Sequence, residues 1–316
     1  MNSAILEVKN LKKYFTTKKG LLHAVDDISF SINKGETLGL VGESGCGKST
    51  AGRAILRLHE PTSGQILFEE KNTLEYKSSK DKRKMRQEMQ IVFQDPYSSL
   101  NPRLNTFELI ADYLYVNKAY KTKEEVKNRV KEVMNIVGLE ERLEDSYPHE
   151  LDGGRRQRIG IARALSLNPK FIVMDEPVSA LDVSIQAQIL NLLAELQKKL
   201  GLTYLFISHN LSVVKHISDR IAVMYLGRIV EITDYKSIFS NPLHPYTRAL
   251  LSAIPIPKYG LKRERIILPG DVPSPINPPK ACVFCGRCAH KMPVCTEIRP
   301  ELEEREQGHF VACHLK

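Results

Sequence analysis

The chain has 316 residues, with 46 lysines and arginines against 37 aspartates and glutamates, a net charge of +9 at pH 7. That length supports one large α/β domain with an appendage, or two modest domains, and the positive balance permits an anionic partner without identifying one. The opening MNSAILEVKNLKKYF lacks the apolar region of a signal peptide, and no apolar run approaches the roughly 18 residues of a membrane span, so a soluble, at most peripheral, chain is predicted.

From about Ala4 to Val41 the pattern predicts short strands, ILEVKNL, AVDDISFSI and ETLGLV, parted by the turn signals TTKKG and NKGE. Thr37 to Leu58 then reads as a strand, a glycine-rich loop and a helix with apolar residues at helical spacing. This is a phosphate-binding loop. Gly42 and Gly47 let the backbone curl so that successive N–H groups, across Glu43, Ser44, Gly45 and Cys46, point inward, and the helix start adds its positive dipole end. Lys48 can reach outer phosphates, Ser49 can place its hydroxyl on Mg²⁺, and Thr50 can add a further phosphate hydrogen bond. Upstream, Phe15 either stacks on an adenine face or packs as an ordinary strand aromatic.

The basic run Lys77 to Arg86 lacks interleaved aromatics and is expected to be a solvated surface. Strand-like Gln65–Phe68 and Ile91–Phe93 lead to Gln94-Asp95-Pro96, after which a helical insert begins. Within it Val126, Val130, Val133 and Val137 share one face, and Asp152 is placed to cap a helix running toward Leu165. FIVMDEP then has the form of a buried parallel strand delivering Asp175 and Glu176 to its C-terminal edge, where phosphate and magnesium belong. A helix ending near Gly201 and a buried strand, TYLFISHN, ending in His209 complete an alternation that argues for a doubly wound sheet. Pro255 to Ala281 holds seven of the 17 prolines and is expected to link or wrap.

Cys46 sits alone in the phosphate loop, whereas Cys282, Cys285, Cys288, Cys295 and Cys313 crowd the tail. An intracellular nucleotide binder has no disulfide framework to build, so the crowding suggests metal. Five thiols exceed the four ligands of either tetrahedral zinc or a four-iron cluster. C-x2-C-x2-C opens a ferredoxin-type run, and a zinc knuckle is the alternative.

Taken in order, the phosphate loop, Gln94, FIVMDEP, the SALD containing Asp182, and His209 resemble an ABC transporter ATPase subunit. The resemblance implies a P-loop ABC ATPase fold over residues 1–240: a β-rich entry, a RecA-like core and a helical subdomain at about 96–160. It also implies roles: ATP with Mg²⁺ as cofactors, Gln94 as the Q-loop residue touching the metal shell, Asp175 in the magnesium shell, Glu176 polarising water, Asp182 in the D-loop and His209 on the γ-phosphate. NPLHPYTRALLSAIP, LPGDVPSPINPPKACVF, RC and VACH further resemble the carboxy-terminal extension of oligopeptide and dipeptide importer ATPases, here residues 241–316. For the tail the resemblance implies a [4Fe-4S] cluster on Cys282, Cys288, Cys295 and Cys313, with Cys285 a possible substitute.

The implied protein energises peptide import from the cytoplasmic face of the cell membrane, with a second homologous ATPase subunit as heterodimer partner, two transmembrane permease subunits and an extracytoplasmic peptide-binding protein. No nucleic acid is expected. Nickel or another small solute is the alternative cargo. A soluble ABC protein acting on nucleic acid or the ribosome usually carries two cassettes, and this chain has one; an iron-sulfur sensor is the remaining class. One departure stands out. The family signature LSGGQ, whose serine and glycines meet the opposite subunit's nucleotide, reads Leu151-Asp152-Gly153-Gly154-Arg155 here. Asp152 caps a helix as well as serine does and can pair with Arg155 at i,i+3, or it can disturb that nucleotide by its charge.

Overall fold

The protein is seen in a computed structural model that describes residues 3–254 and 265–315. It forms two compact units, a middle unit of residues 1–3, 33–36 and 73–206 and a terminal unit of residues 4–32, 37–72 and 207–316.

The terminal unit opens with strands β1 (Ala4–Thr17) and β2 (Gly20–Asn33), both longer than the sequence pattern suggests. They turn over Thr17 and Gly20, where the threonine hydroxyl donates to the Gly20 carbonyl at 2.7 Å. Next come β3 (Thr37–Val41), buried throughout, α1 (Lys48–Ile55), β4 (Ser63–Phe68) and the two-residue β5 (Lys71–Asn72). One sheet has the order β2-β1-β4-β5, with β1 and β4 antiparallel and Leu6 opposite Phe68.

The middle unit begins with α2 (Ser79–Glu88), capped by the Ser78 side chain and buried only at Met85, so the basic run is a solvated helix. β6 (Met89–Val92) follows, then α3 (Pro96–Ser99). The helical insert contains α4 (Thr106–Val116) and α5 (Lys123–Ile136), each started by a capping box, Asn105 with Glu108 and Thr122 with Glu125. Val126, Val130, Val133 and Val137 are buried together, and α4 and α5 pack on α6 (Gly153–Leu165). β7 (Phe171–Asp175) runs parallel to β6, and α7 (Val183–Leu200) ends at Gly201, whose φ of 64° closes the helix in the left-handed region. β8 (Thr203–Ser208) lies beside β7, and within it the chain leaves the middle unit after Phe206.

Back in the terminal unit, α8 (Leu211–Ile217) leads to β9 (Arg220–Tyr225), parallel to β3, and β10 (Arg228–Asp234), antiparallel to β9. The tail carries α9 (Tyr235–Ser240), α10 (Pro245–Ser252), α11 (Val294–Glu297), β11 (Glu303–Glu306) and β12 (His309–Val311). β12 pairs antiparallel with β10, Ile232 opposite Phe310, so the tail extends the sheet as β11-β12-β10-β9-β3. The sequence pattern gave no sign of these strands.

Of the proline-rich stretch, residues 255–264 lie outside the described residues. The rest wraps along β2: the N–H of His23 donates to the Pro275 carbonyl at 3.0 Å, and Leu22 bridges Ile276. Among the described residues no helix is long and apolar enough to cross a membrane.

Candidate functional site

In the terminal unit β3 delivers Gly42–Gly47, and α1 starts at Lys48. The backbone there admits only glycine at two points. Gly47 has φ 105°, and a Cβ on it would lie 2.0 Å from the Ala24 carbonyl oxygen; a Cβ on Gly42 would lie 2.1 Å from that of Met224. The buried Lys48 ammonium donates to the carbonyls of Gly42 and Glu43, both at 2.9 Å. Burial pushes the Cys46 thiol up, while the neighbouring Lys48 charge works the other way. Ser44 and Gly45 form the exposed tip, and Ser49 and Thr50 lie half-buried in the first helical turn.

Phe15 is half-buried on β1, with Lys13 Nζ 4.7 Å from its ring centre and His59 edge-on at 5.7 Å. His209 stands exposed just past the end of β8.

The middle unit gathers the other predicted residues of the cassette. β7 is buried along its length and ends in the fully buried Asp175. Glu176 follows with φ 49°, a left-handed conformation that costs a non-glycine residue about 1–3 kcal/mol. Ser179 secures it, donating its N–H and its hydroxyl to the Glu176 carbonyl at 3.2 and 3.1 Å. The Gln94 amide donates to Glu176 Oε2 at 3.2 Å, joining two residues 82 positions apart. Asp182 caps α7, its carboxylate accepting the N–H of Ile185 at 2.9 Å.

Asp152 caps α6 as expected. Its Oδ1 accepts the Arg155 N–H at 2.8 Å, and its Oδ2 lies 3.5 Å from the Arg155 guanidinium. Gly153 and Gly154 begin the helix behind it.

In the tail all five cysteines are free thiols. Cys282 lies within electrostatic reach of Cys295, Cys285 and Cys313, and Cys288 within reach of Cys295 and Cys285. Burial pushes Cys282 up to about 11 and raises Cys288 and Cys313. Backbone N–H groups of Phe284, His290 and Leu315 meet the sulfurs of Cys282, Cys288 and Cys313. The backbone donors favour thiolates at these positions, and burial opposes them. Among the described residues, however, no group of three or more His, Cys, Asp or Glu side chains is arranged to hold a metal ion.

Several anchors had no role assigned from the sequence. His244 caps α10, its Nδ1 accepting the Tyr246 N–H at 3.1 Å, and burial lowers its pKa to about 3. The fully buried Glu231 carboxylate accepts the N–H groups of Leu243 and His244 at 2.7 and 3.0 Å and contacts His309 Nε2 at 2.7 Å. Arg299 and Arg228 reach Asp26 Oδ2 at 3.0 and 3.1 Å, and the Tyr14 hydroxyl donates to Oδ1 at 2.5 Å. Burial works against that carboxylate, but the Tyr14 hydrogen bond and the two arginines hold its pKa below the ordinary value.

Residues 25–179 match the family described as ABC transporter, and residues 230–295 match the oligopeptide/dipeptide transporter C-terminal region. The oligopeptide transport ATP-binding protein AppF of Bacillus subtilis (strain 168) is 54% identical over 320 residues, 98% of this chain and 97% of that protein. OppF of the same organism, likewise an oligopeptide transport ATP-binding protein, is 56% identical over 313 residues, 99% and 97% of the two chains. Among solved structures, cbiO1 of Clostridium perfringens, part of the ABC transporter complex cbiONQ, has a TM-score of 0.67 at 32% identity, covering 76% of this chain and 92% of that one. The dimeric post-hydrolysis state of the ATP-binding cassette MJ0796, bound to ADP and Pi, has a TM-score of 0.66 at 28% identity, covering 73% and 98%.

Proposed function

Because the chain belongs to the oligopeptide transport ATP-binding proteins of the ABC transporter family, we propose that it hydrolyses ATP to drive peptide uptake through a membrane complex it does not itself span. The near-complete alignment to AppF at 54% identity carries this reading, since it covers cassette and tail together. Residues 1–240 are then the ATPase domain, with its helical subdomain at about 96–160, and 241–316 the transporter-specific extension. The chain acts at the cytoplasmic face, paired with a second homologous ATPase subunit beneath two permease subunits served by an extracytoplasmic peptide-binding protein. Tyr97, 62% exposed three residues beyond Gln94, offers an aromatic contact for a membrane partner.

Each residue has a task that its surroundings support. The loop from Gly42 to Thr50 wraps the phosphates, and Lys48, already shared between two loop carbonyls, transfers its charge to the outer phosphates. Phe15 offers a half-covered ring to the base. Ser49, Asp175 and Gln94 would hold magnesium, which would supply charge neutralisation to the phosphates. Glu176, fixed by Ser179 and steered by Gln94, orients and polarises the attacking water, and His209 steadies the γ-phosphate. Gly153 and Gly154, with Asp152, face the nucleotide held by the partner. Lys48→Ala should abolish MgATP binding in a titration of the whole chain, and unchanged affinity would refute the assignment. Glu176→Gln should keep binding and slow turnover at least tenfold.

The tail thiols are the second part of the proposal: a [4Fe-4S] cluster held by Cys282, Cys288, Cys295 and Cys313. The group would supply covalent cross-links to a segment too short to bury a core of its own. Protein purified without air should be brown, with about four irons per chain. Cys285→Ser should retain the iron and Cys288→Ser lose it. A colourless preparation carrying one zinc and no iron would overturn it.

A further inference from the structure

Glu43, the second residue of the phosphate loop, is held on three sides, and two of the holds come from the tail. Its carbonyl accepts the Lys48 ammonium at 2.9 Å. Its N–H donates to the Tyr246 hydroxyl at 2.9 Å, across 203 positions of sequence. Its carboxylate takes Arg287 Nη1 at 3.0 and 3.3 Å, across 244 positions. The Arg287–Glu43 pair is sheltered, the two side chains being 11% and 26% exposed.

Both tail residues are themselves locked. Tyr246 is fully buried, with its ring 4.7 Å from that of Tyr225 and 5.5 Å from that of Phe284. Phe284 also meets Tyr225 edge-on at 5.3 Å. Arg287 lies in the thiol-rich turn, its backbone N–H bonded to the Phe284 carbonyl at 3.0 Å. The loop residue that helps park Lys48 is therefore oriented by two tail residues, one of them set in an aromatic cluster that joins Tyr246 and Phe284 of the tail to Tyr225 of β9.

We propose that Tyr246 and Arg287 are positioning residues for ATP binding: they fix Glu43, set the loop's N–H groups in the phosphate-receiving shape, and cancel a carboxylate charge at the mouth of a site for a polyanion. Fixing a loop before binding lowers the ordering cost of the ligand. Neutralising Glu43 removes a repulsion that a partly buried, weakly screened carboxylate would otherwise exert on phosphate. Both effects fall on nucleotide affinity, not on the hydrolytic step. This inference rests on the loop being the ATP site.

The test is a double-mutant cycle read by MgATP titration of the full chain, with thermal unfolding alongside. Arg287→Met should weaken binding about tenfold, whereas the same change in a Glu43→Gln background should weaken it less than about twofold, because the charge it compensates is gone. Arg287→Lys should recover most of the loss. Tyr246→Phe keeps the buried ring, removes only the hydroxyl, and should weaken binding about threefold, so it tests the fixing of Glu43 independently if the methionine variant fails to fold. Full ATP affinity in Arg287→Met or in Tyr246→Phe would overturn the proposal. So would an equal loss with and without Glu43→Gln, which would mean that Arg287 only stabilises the tail. A wild-type chain that binds no nucleotide would refute the function itself, an outcome distinct from these.

Discussion

A buried histidine whose Nδ1 is committed as a helix-cap acceptor cannot take a proton there without losing the cap. His244 is in that position, with its pKa lowered from 6.5 to about 3 by burial. The folded state therefore favours the neutral ring. The stability this contributes is complete above about pH 6.5 and is lost as pH falls toward 3, because the unfolded chain takes up a proton that the folded one refuses. Between pH 7 and pH 5 the loss amounts to about 2 kcal/mol. His244→Asn keeps an acceptor for the cap and removes the titration. Urea midpoints at the two pH values should show wild type losing about 2 kcal/mol more than the variant over that interval, and equal losses would dissociate His244 from the acid sensitivity. His309 tests the neighbouring anchor: His309→Ala leaves the fully buried Glu231 with only its two backbone donors and should cost about 2 kcal/mol at pH 7.

At the level of elements, the connection from β3 to α1 depends on a backbone conformation and a close approach that only glycine allows. Gly47→Ala would force a methyl group to 2.0 Å from the Ala24 carbonyl at a φ of 105°. The loop must then open, and MgATP binding should fall by at least a hundredfold while β3 and the rest of the sheet persist by circular dichroism. That glycine was legible in the sequence because the phosphate-loop spacing requires it. So were the start of α6 and the end of α7, announced within a few residues by Asp152 and Gly201. β1 and β2 were read too short because KKYFTT and GLLH break the alternation yet are carried into strand where the two strands meet in a hairpin. β12 was missed for another reason: three residues have no period to read, and their partner Ile232 on β10 lies far back in the chain. The same distance hid the functional anchors. Tyr246 and Arg287 stood within recognisable tail motifs, but only the folded chain shows them closing on Glu43.

For the whole assembly the decisive feature is the signature, where a carboxylate stands in place of a hydroxyl. In the structure Asp152 spends Oδ1 on the cap of α6 and faces Arg155 with Oδ2 at 3.5 Å. Both side chains are exposed, 57% for Asp152 and 40% for Arg155, and Arg155 also approaches Glu140 at 3.6 Å. A pair so solvated is worth only a few tenths of a kcal/mol, and its guanidinium is shared. A carboxylate about 4 Å from a phosphate costs roughly 1 kcal/mol in water and about 4 at an effective dielectric of 20. The repulsion therefore exceeds what Arg155 returns once a partner's nucleotide closes over this helix start. We predict an asymmetric pair: ATP on this chain's Lys48, Glu176 and His209 turns over against the partner's signature, while the partner's own ATP faces Asp152 and turns over slowly. Asp152→Ser preserves the cap and should leave stability within about 0.5 kcal/mol. It should raise ATPase activity of the assembled complex severalfold. In that complex Glu176→Gln should abolish most turnover, and the equivalent change in the partner should remove far less. Equal losses from the two glutamine variants, with no gain from serine, would reduce Asp152 to a helix cap and make the two sites equivalent.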